Sequence, residues 1–103
     1  MKSATVDLVV TGDETAAAAA AVEAVGRGQR VLVVLRSGDG RAVPRLRRLS
    51  RAAKTQLTVL TKAEVVCVDG VDGVEAVVIR HARTGRLTAV NASGFLWCDC
   101  SKE

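Results

Sequence analysis

The first apolar run of the chain, Val6 to Val10, leads directly into Thr11-Gly12-Asp13-Glu14 and then an alanine-rich segment. A glycine turn between a strand and a helix lets the backbone approach a pyrophosphate, while the helix directs its free amides and positive pole at the anion. The same four residues also fit a capping box, in which the Thr11 hydroxyl and the Glu14 carboxylate satisfy the helix amides themselves. The first reading gives a phosphate turn and the second gives an anion site filled from within. Asp13 matters to both, because it sets a carboxylate where an anion would approach. Two like charges about 4 Å apart repel by about 1 kcal/mol in water and by roughly 4 kcal/mol at an effective dielectric of 20.

Other reactive residue types carry less. Cys67, Cys98 and Cys100 make an odd number, and their spacing fits neither a zinc site nor a Cys-x-x-Cys redox pair. Cys98 and Cys100 share a face of an extended strand, a poor geometry for a disulfide, and are expected to serve as small apolar side chains. His81 has no partner at a catalytic or metal-binding spacing and is expected to be a strand residue. Trp97, beside Phe95, is expected to complete the core.

The elements that must position the turn follow from pattern. Val6 to Val10 has the length and β-branched content of a buried strand, and Thr15 to about Val25 that of a helix whose alanines can lie close to a sheet. Gly26 and Gly28 end the helix, and Arg27 and Arg30 suit its negative pole. Val31 to Leu35 forms a second strand, parallel to the first through a right-handed crossover. After the loop Ser37-Gly38-Asp39-Gly40, residues Pro44 to Lys54 carry Leu46, Leu49 and Ala53 at helical spacing between arginines. Leu57 to Leu60 reads as a third strand. Val65 to Val68 and Val74 to Ile79 flank Asp69-Gly70 and Asp72-Gly73, which have hairpin chemistry. Leu87 to Val90 returns after Arg83-Thr84-Gly85-Arg86 to complete an antiparallel meander, and Gly94 to Cys98 supplies a separate last strand.

The stretch VVTGDETAAAAAAVEAVGRGQRVLVVLRSGDGRA resembles the NADPH-binding domain of thioredoxin reductases and related pyridine nucleotide-disulfide oxidoreductases, and the meander and final strand extend the likeness over almost the whole chain. The resemblance implies an α/β, Rossmann-like three-layer nucleotide-binding domain, a parallel sheet plus a small antiparallel β-meander, spanning residues 1–103 as one unit. In the family the turn reads Gly-Gly-Gly-Asp-Ser-Ala or similar. Gly12 matches its middle glycine, Glu14 its acid, Thr15 its serine and Ala16 its small residue, whereas Thr11 and Asp13 replace the outer glycines. The family's second strand ends in His-Arg-Arg, with Arg-Ala three residues on. Arg36 and Arg41 match two of these arginines, and Leu35 and Ser37 depart from the pattern. The resemblance thus implies a cofactor site at Gly12, Glu14, Thr15, Ala16, Arg36 and Arg41. An arginine after the second strand, with no acid there to hold a ribose hydroxyl, favours NADPH over NADH should a dinucleotide bind. The plainer account of these arginines is a solvated basic face.

The sequence carries no Cys-x-x-Cys and no flavin domain, so FAD binding or reductase activity by this chain alone is not expected. A separate flavin-binding chain or domain is the implied partner. The alternative is a non-catalytic interaction domain that keeps the fold without nucleotide binding, and self-association into a homo-oligomer is open to it. A third reading is nucleic-acid binding through the segment from Arg36 to Lys54, where seven cations face one carboxylate. It ranks last, since one Phe, one Trp and no Tyr leave almost nothing on which bases could stack. Charges or glycines interrupt every valine-rich run, so no membrane span is expected, and no signal-peptide pattern is present. A cytoplasmic location is the expectation.

Overall fold

The computed structural model describes residues 5–38, 40–52, 56–71 and 73–98. The elements run β1 (Thr5–Gly12), α1 (Glu14–Gly26), β2 (Val31–Val34), α2 (Val43–Ala52), β3 (Leu57–Leu60), β4 (Ala63–Asp69), β5 (Ala76–His81) and β6 (Leu87–Cys98). Six strands form one hydrogen-bonded sheet in the order β3-β2-β1-β6-β5-β4. The pairs β2–β3, β1–β2 and β1–β6 are parallel, and β4–β5 and β5–β6 are antiparallel.

Alternation along the central strands explains the layering. On β1 and β2, Val10, Val31 and Val33 lie in a core with Ala17, Ala21, Ala24 and Leu46 of the two helices. Their neighbours Val9, Leu32 and Val34 lie in a second core with Val77, Ile79 and Val90 of the meander. All four β2 residues are buried, as expected of a parallel strand covered on both faces. The result is three layers, with helices on one face of the parallel strands and the antiparallel strands folded over the other, a Rossmann-like α/β fold.

The alanines of α1 let it lie close to the sheet, with Ala17 and Ala21 fully buried. Beyond Gly26, Gly28 takes a φ of 84°, and its amide donates to the Val25 carbonyl at 2.9 Å. The short, amphipathic α2 buries Val43 and Leu46, and the Ser50 hydroxyl donates to the Leu57 carbonyl at 2.8 Å, tying the helix to β3. The end predicted for this helix at Ala53 and Lys54 lies outside the described residues, as do Asp39, Asp72 and Cys100.

Two expectations are corrected. Leu87–Val90 and Gly94–Cys98 are not separate strands but the two halves of β6, which changes partners midway. Asn91 is aligned with both Ala76 of β5 and Thr5 of β1, so the backbone passes from one ladder to the other without a break. Gly94 lies inside the strand, aligned with Leu8 of β1, and does not begin a new element; a Cβ there would come within 3.3 Å of Leu8 Cδ1. Trp97 does not complete the core: it is 58% exposed, and Phe95 alone of the pair lies against the meander-side core. The two are separated by two residues on one strand and so share a face, but the antiparallel strands flank β6 only as far as Asn91 and its neighbour.

Candidate functional site

At the carboxyl ends of the parallel strands the chain leaves β1 toward β2 on one side, while β6 lies on the other. Open α/β sheets place ligands at such a divergence. Gly12 occupies it with a φ of 112°, and a Cβ there would overlap the Cys98 carbonyl oxygen. The Asp13 amide donates to that same oxygen at 2.7 Å. Gly12 therefore has a structural requirement of its own, the close approach of the turn to the end of β6.

The turn is capped from within, but not by the predicted residues. Asp13 is the N-cap of α1, its carboxylate accepting from the Ala16 amide at 3.0 Å and its carbonyl from the Ala17 amide at 2.7 Å. Thr11 is buried and faces β2, where its hydroxyl donates to the Val34 carbonyl at 2.7 Å, so it is not free to cap. The side chains of a strand alternate between faces, and position 11 points away from the helix start. Glu14 does not reach back either. Its carboxylate accepts from the Ala42 amide at 3.3 Å and lies against Gly40, where a Cβ would overlap it. It clasps the loop between β2 and α2 to the start of α1.

Gly12, Glu14 and Ala16 are thus gathered at one corner, and Glu14 joins them to the loop that carries Arg41, which is exposed. Thr15 is exposed on the other side of the turn and lines a largely apolar cleft between α1 and α2 with Val22, Leu46 and Leu49. Arg36 belongs to a different concavity, an open groove of about 1300 Å³ bounded by the ends of β2 and β3 and by the turn between β5 and β6. The groove collects Arg47, Lys62, His81, Arg83 and Arg86 beside Arg36. Sequence reading did not single out Lys62, Arg83 or Arg86, because no local pattern relates them. His81 is the strand residue expected, with Nε2 3.2 Å from the Thr88 hydroxyl.

Electrostatics distinguish the two places. Burial, and secondarily the Asp13 carboxylate, push the Cys98 thiol above its ordinary value, so beside the turn it is a protonated thiol at neutral pH. Beyond the groove, Glu64 is held below the usual carboxylate value by its hydrogen bond and charge interaction with Arg80, and Arg36 lies 3.9 Å from its other oxygen. Among the described residues no group of His, Cys, Asp and Glu is placed to hold a metal ion, and no helix is long and apolar enough to cross a membrane.

No family model matches the chain, and no curated protein matches its sequence. Solved structures do match it. Thioredoxin reductase from Streptococcus pyogenes superposes with a TM-score of 0.74 at 24% identity, covering 93% of this chain and 31% of that one. The fold is shared with thioredoxin reductases. Thioredoxin reductase from Giardia duodenalis gives a TM-score of 0.76 at 18% identity over 94% of this chain and 31% of its own. The myxobacterial chondrochloren halogenase CndH, an FAD-dependent halogenase, gives 0.70 at 13% identity over 97% of this chain and 38% of its own. The chain spans about a third of the length of these structures, and the Rossmann-like unit they have in common serves different chemistries.

Proposed function

We propose that this chain is an NADPH-binding domain that works with a flavin-bearing partner chain or domain in the cytoplasm. The observation that carries the reading is Arg36, exposed just past the carboxyl end of β2, where neither Val34 nor Leu35 supplies an acid, on a fold shared with thioredoxin reductases. A guanidinium there fits an adenosine 2′-phosphate by paired, charge-assisted hydrogen bonds, and Arg41 follows on the same loop. The pyrophosphate belongs at the start of α1, where Gly12 opens the turn and Glu14, Thr15 and Ala16 form the first turn of the helix. There the fit is contested, because the Asp13 carboxylate already holds the Ala16 amide. Bound NADPH supplies a hydride; the residues of this chain hold and orient it. The sequence carries no Cys-x-x-Cys, and on this reading any disulfide chemistry belongs to the partner.

Calorimetric titration with NADPH and NADH at low salt tests the reading on three proteins: the wild type, Arg36→Ala and Asp13→Gly. Wild type binds NADPH saturably and in preference to NADH, and Arg36→Ala weakens NADPH by about tenfold, the scale of one lost hydrogen bond to a charged group. Asp13→Gly removes the competing carboxylate and tightens both nucleotides, while a glycine cap costs only a few tenths of a kcal/mol of stability. Silence from all three folded proteins would sink the proposal. That outcome would favour an interaction domain, a reading supported by the internally capped turn and by Leu96 and Trp97 exposed near the end of β6.

A further inference from the structure

We propose that the groove between the ends of β2 and β3 and the β5–β6 turn is a binding site for an oligophosphate, either free or as the phosphate tail of a nucleotide. Five cations line it from four separate segments: Arg36 after β2, Arg47 on α2, Lys62 between β3 and β4, and Arg83 and Arg86 in the β5–β6 turn. His81 and the hydroxyls of Ser37, Thr61, Thr84 and Thr88 complete the polar lining, and among the described residues no carboxylate contributes to it. The nearby acid, Glu64, is engaged by Arg80 and Arg36, and among the described residues no ion pair answers the charge of Lys62, Arg83 and Arg86.

The cations are brought together by fixed backbone. Lys62 takes a left-handed φ of 56°, a conformation a lysine rarely adopts. It is held because the amide of Ala63 donates to the Leu35 carbonyl at 3.1 Å, and that of Ala82 to the Lys62 carbonyl at 2.8 Å. The pairing of Ala63 with His81 then sets Lys62 beside the β5–β6 turn. Arg47 reaches in from α2, its Nη2 donating to the Thr61 hydroxyl at 3.4 Å. Like charges assembled on a stiff concave wall repel one another, and a multiply charged anion relieves that repulsion.

The lining also selects the chemistry of the ligand. Among the described residues it contains no Phe, Tyr or Trp, and Leu87 is its one large aliphatic residue, so it offers little to bury an apolar body. What it offers is guanidinium, ammonium and hydroxyl donors, which suit a chain of phosphates. The volume, above the usual range of about 300–1,000 Å³ for small-ligand pockets, accommodates several linked phosphates. This site shares only Arg36 with the proposed NADPH site and does not rest on that reading.

The test is calorimetric titration of the full chain with tripolyphosphate, ATP and inorganic phosphate at low salt. It compares the wild type with R83S/R86S, and with R27S/R30S, a control that removes the same charge from the loop after α1. Tripolyphosphate is expected to bind saturably and at least about tenfold more tightly than phosphate; R83S/R86S weakens it by about tenfold or more, and R27S/R30S leaves it within about twofold. NADPH titration of R83S/R86S is expected to match the wild type, which separates this site from the dinucleotide site. ATP binding more tightly than tripolyphosphate identifies the nucleotide tail as the source of the phosphates, and equal or weaker ATP binding identifies free oligophosphate. The proposal is overturned by the absence of saturable tripolyphosphate binding, or by equal losses in the two double variants. Tighter binding of a single-stranded RNA oligonucleotide than of tripolyphosphate would also overturn it, in favour of a nucleic-acid surface.

Discussion

Gly12 answers to two neighbours at once, the helix it precedes and the strand it touches. Its φ of 112° excludes most side chains, and a Cβ would meet the carbonyl of Cys98, a backbone atom that cannot turn aside. Gly12→Ala therefore combines backbone strain with overpacking and is expected to cost about 2–4 kcal/mol, read as a lower midpoint in urea with an unchanged slope. An unaltered midpoint would mean that the turn does not depend on its contact with β6. Cys98 gives a second prediction at the same place. Burial and Asp13 raise its thiol pKa, so the reactive thiolate becomes abundant only at a pH above the ordinary thiol value. In a Cys67→Ser, Cys100→Ser background, Cys98 should label slowly at neutral pH, and Asp13→Gly should shift its pH–rate profile downward. A fast reaction at neutral pH in the parent would contradict the assigned burial. The sequence marked Gly12 through its place in the turn, but the reason it must be glycine lies at Cys98, 86 positions away.

Elements whose signal is local were legible. The two helices, the first two strands and the hairpin around Gly70 and Gly73 follow from apolar period and turn chemistry, and each lies close to its expected place. What was not legible depended on partners distant in the chain. Gly94 looks like punctuation between strands, yet the strand runs through it because β1 takes over pairing where β5 stops. The cap moved from Thr11 to Asp13 because β1 extends through Gly12, turning the Thr11 hydroxyl toward β2. The basic groove was hidden for the same reason. Lys62, Arg83 and Arg86 are unremarkable in their own segments, and only the register of β4 against β5 sets them around one concavity with Arg36. Arg36 itself was legible, since its position after the second strand is a local feature.

At the scale of the molecule, two cores share one parallel sheet, and this arrangement decides whether the meander can come away by itself. Leu32 and Val34 on β2 face the meander, while Val31 and Val33 on the same four-residue strand face the helices, so neither core can loosen without disturbing the backbone of the other. β6 strengthens the coupling, because one uninterrupted strand is hydrogen-bonded to the meander in its first half and to β1 in its second. Ile79 is fully buried at the centre of the meander-side core and lies in no candidate site. Ile79→Ala should cost about 2–5 kcal/mol, the range for emptying a buried aliphatic position. If the cores are coupled as the strands indicate, that loss appears as a single cooperative transition at a lower midpoint, with the helical circular-dichroism signal and the amide-exchange protection of the β4–β5 ladder lost together. A meander that behaved as an appendage would instead release early, giving two transitions and leaving the helical signal near its wild-type midpoint. Because the groove cations Lys62, Arg83 and Arg86 flank the meander while Arg36 and Arg47 belong to the helical half, the same coupling keeps the two walls of the groove in register.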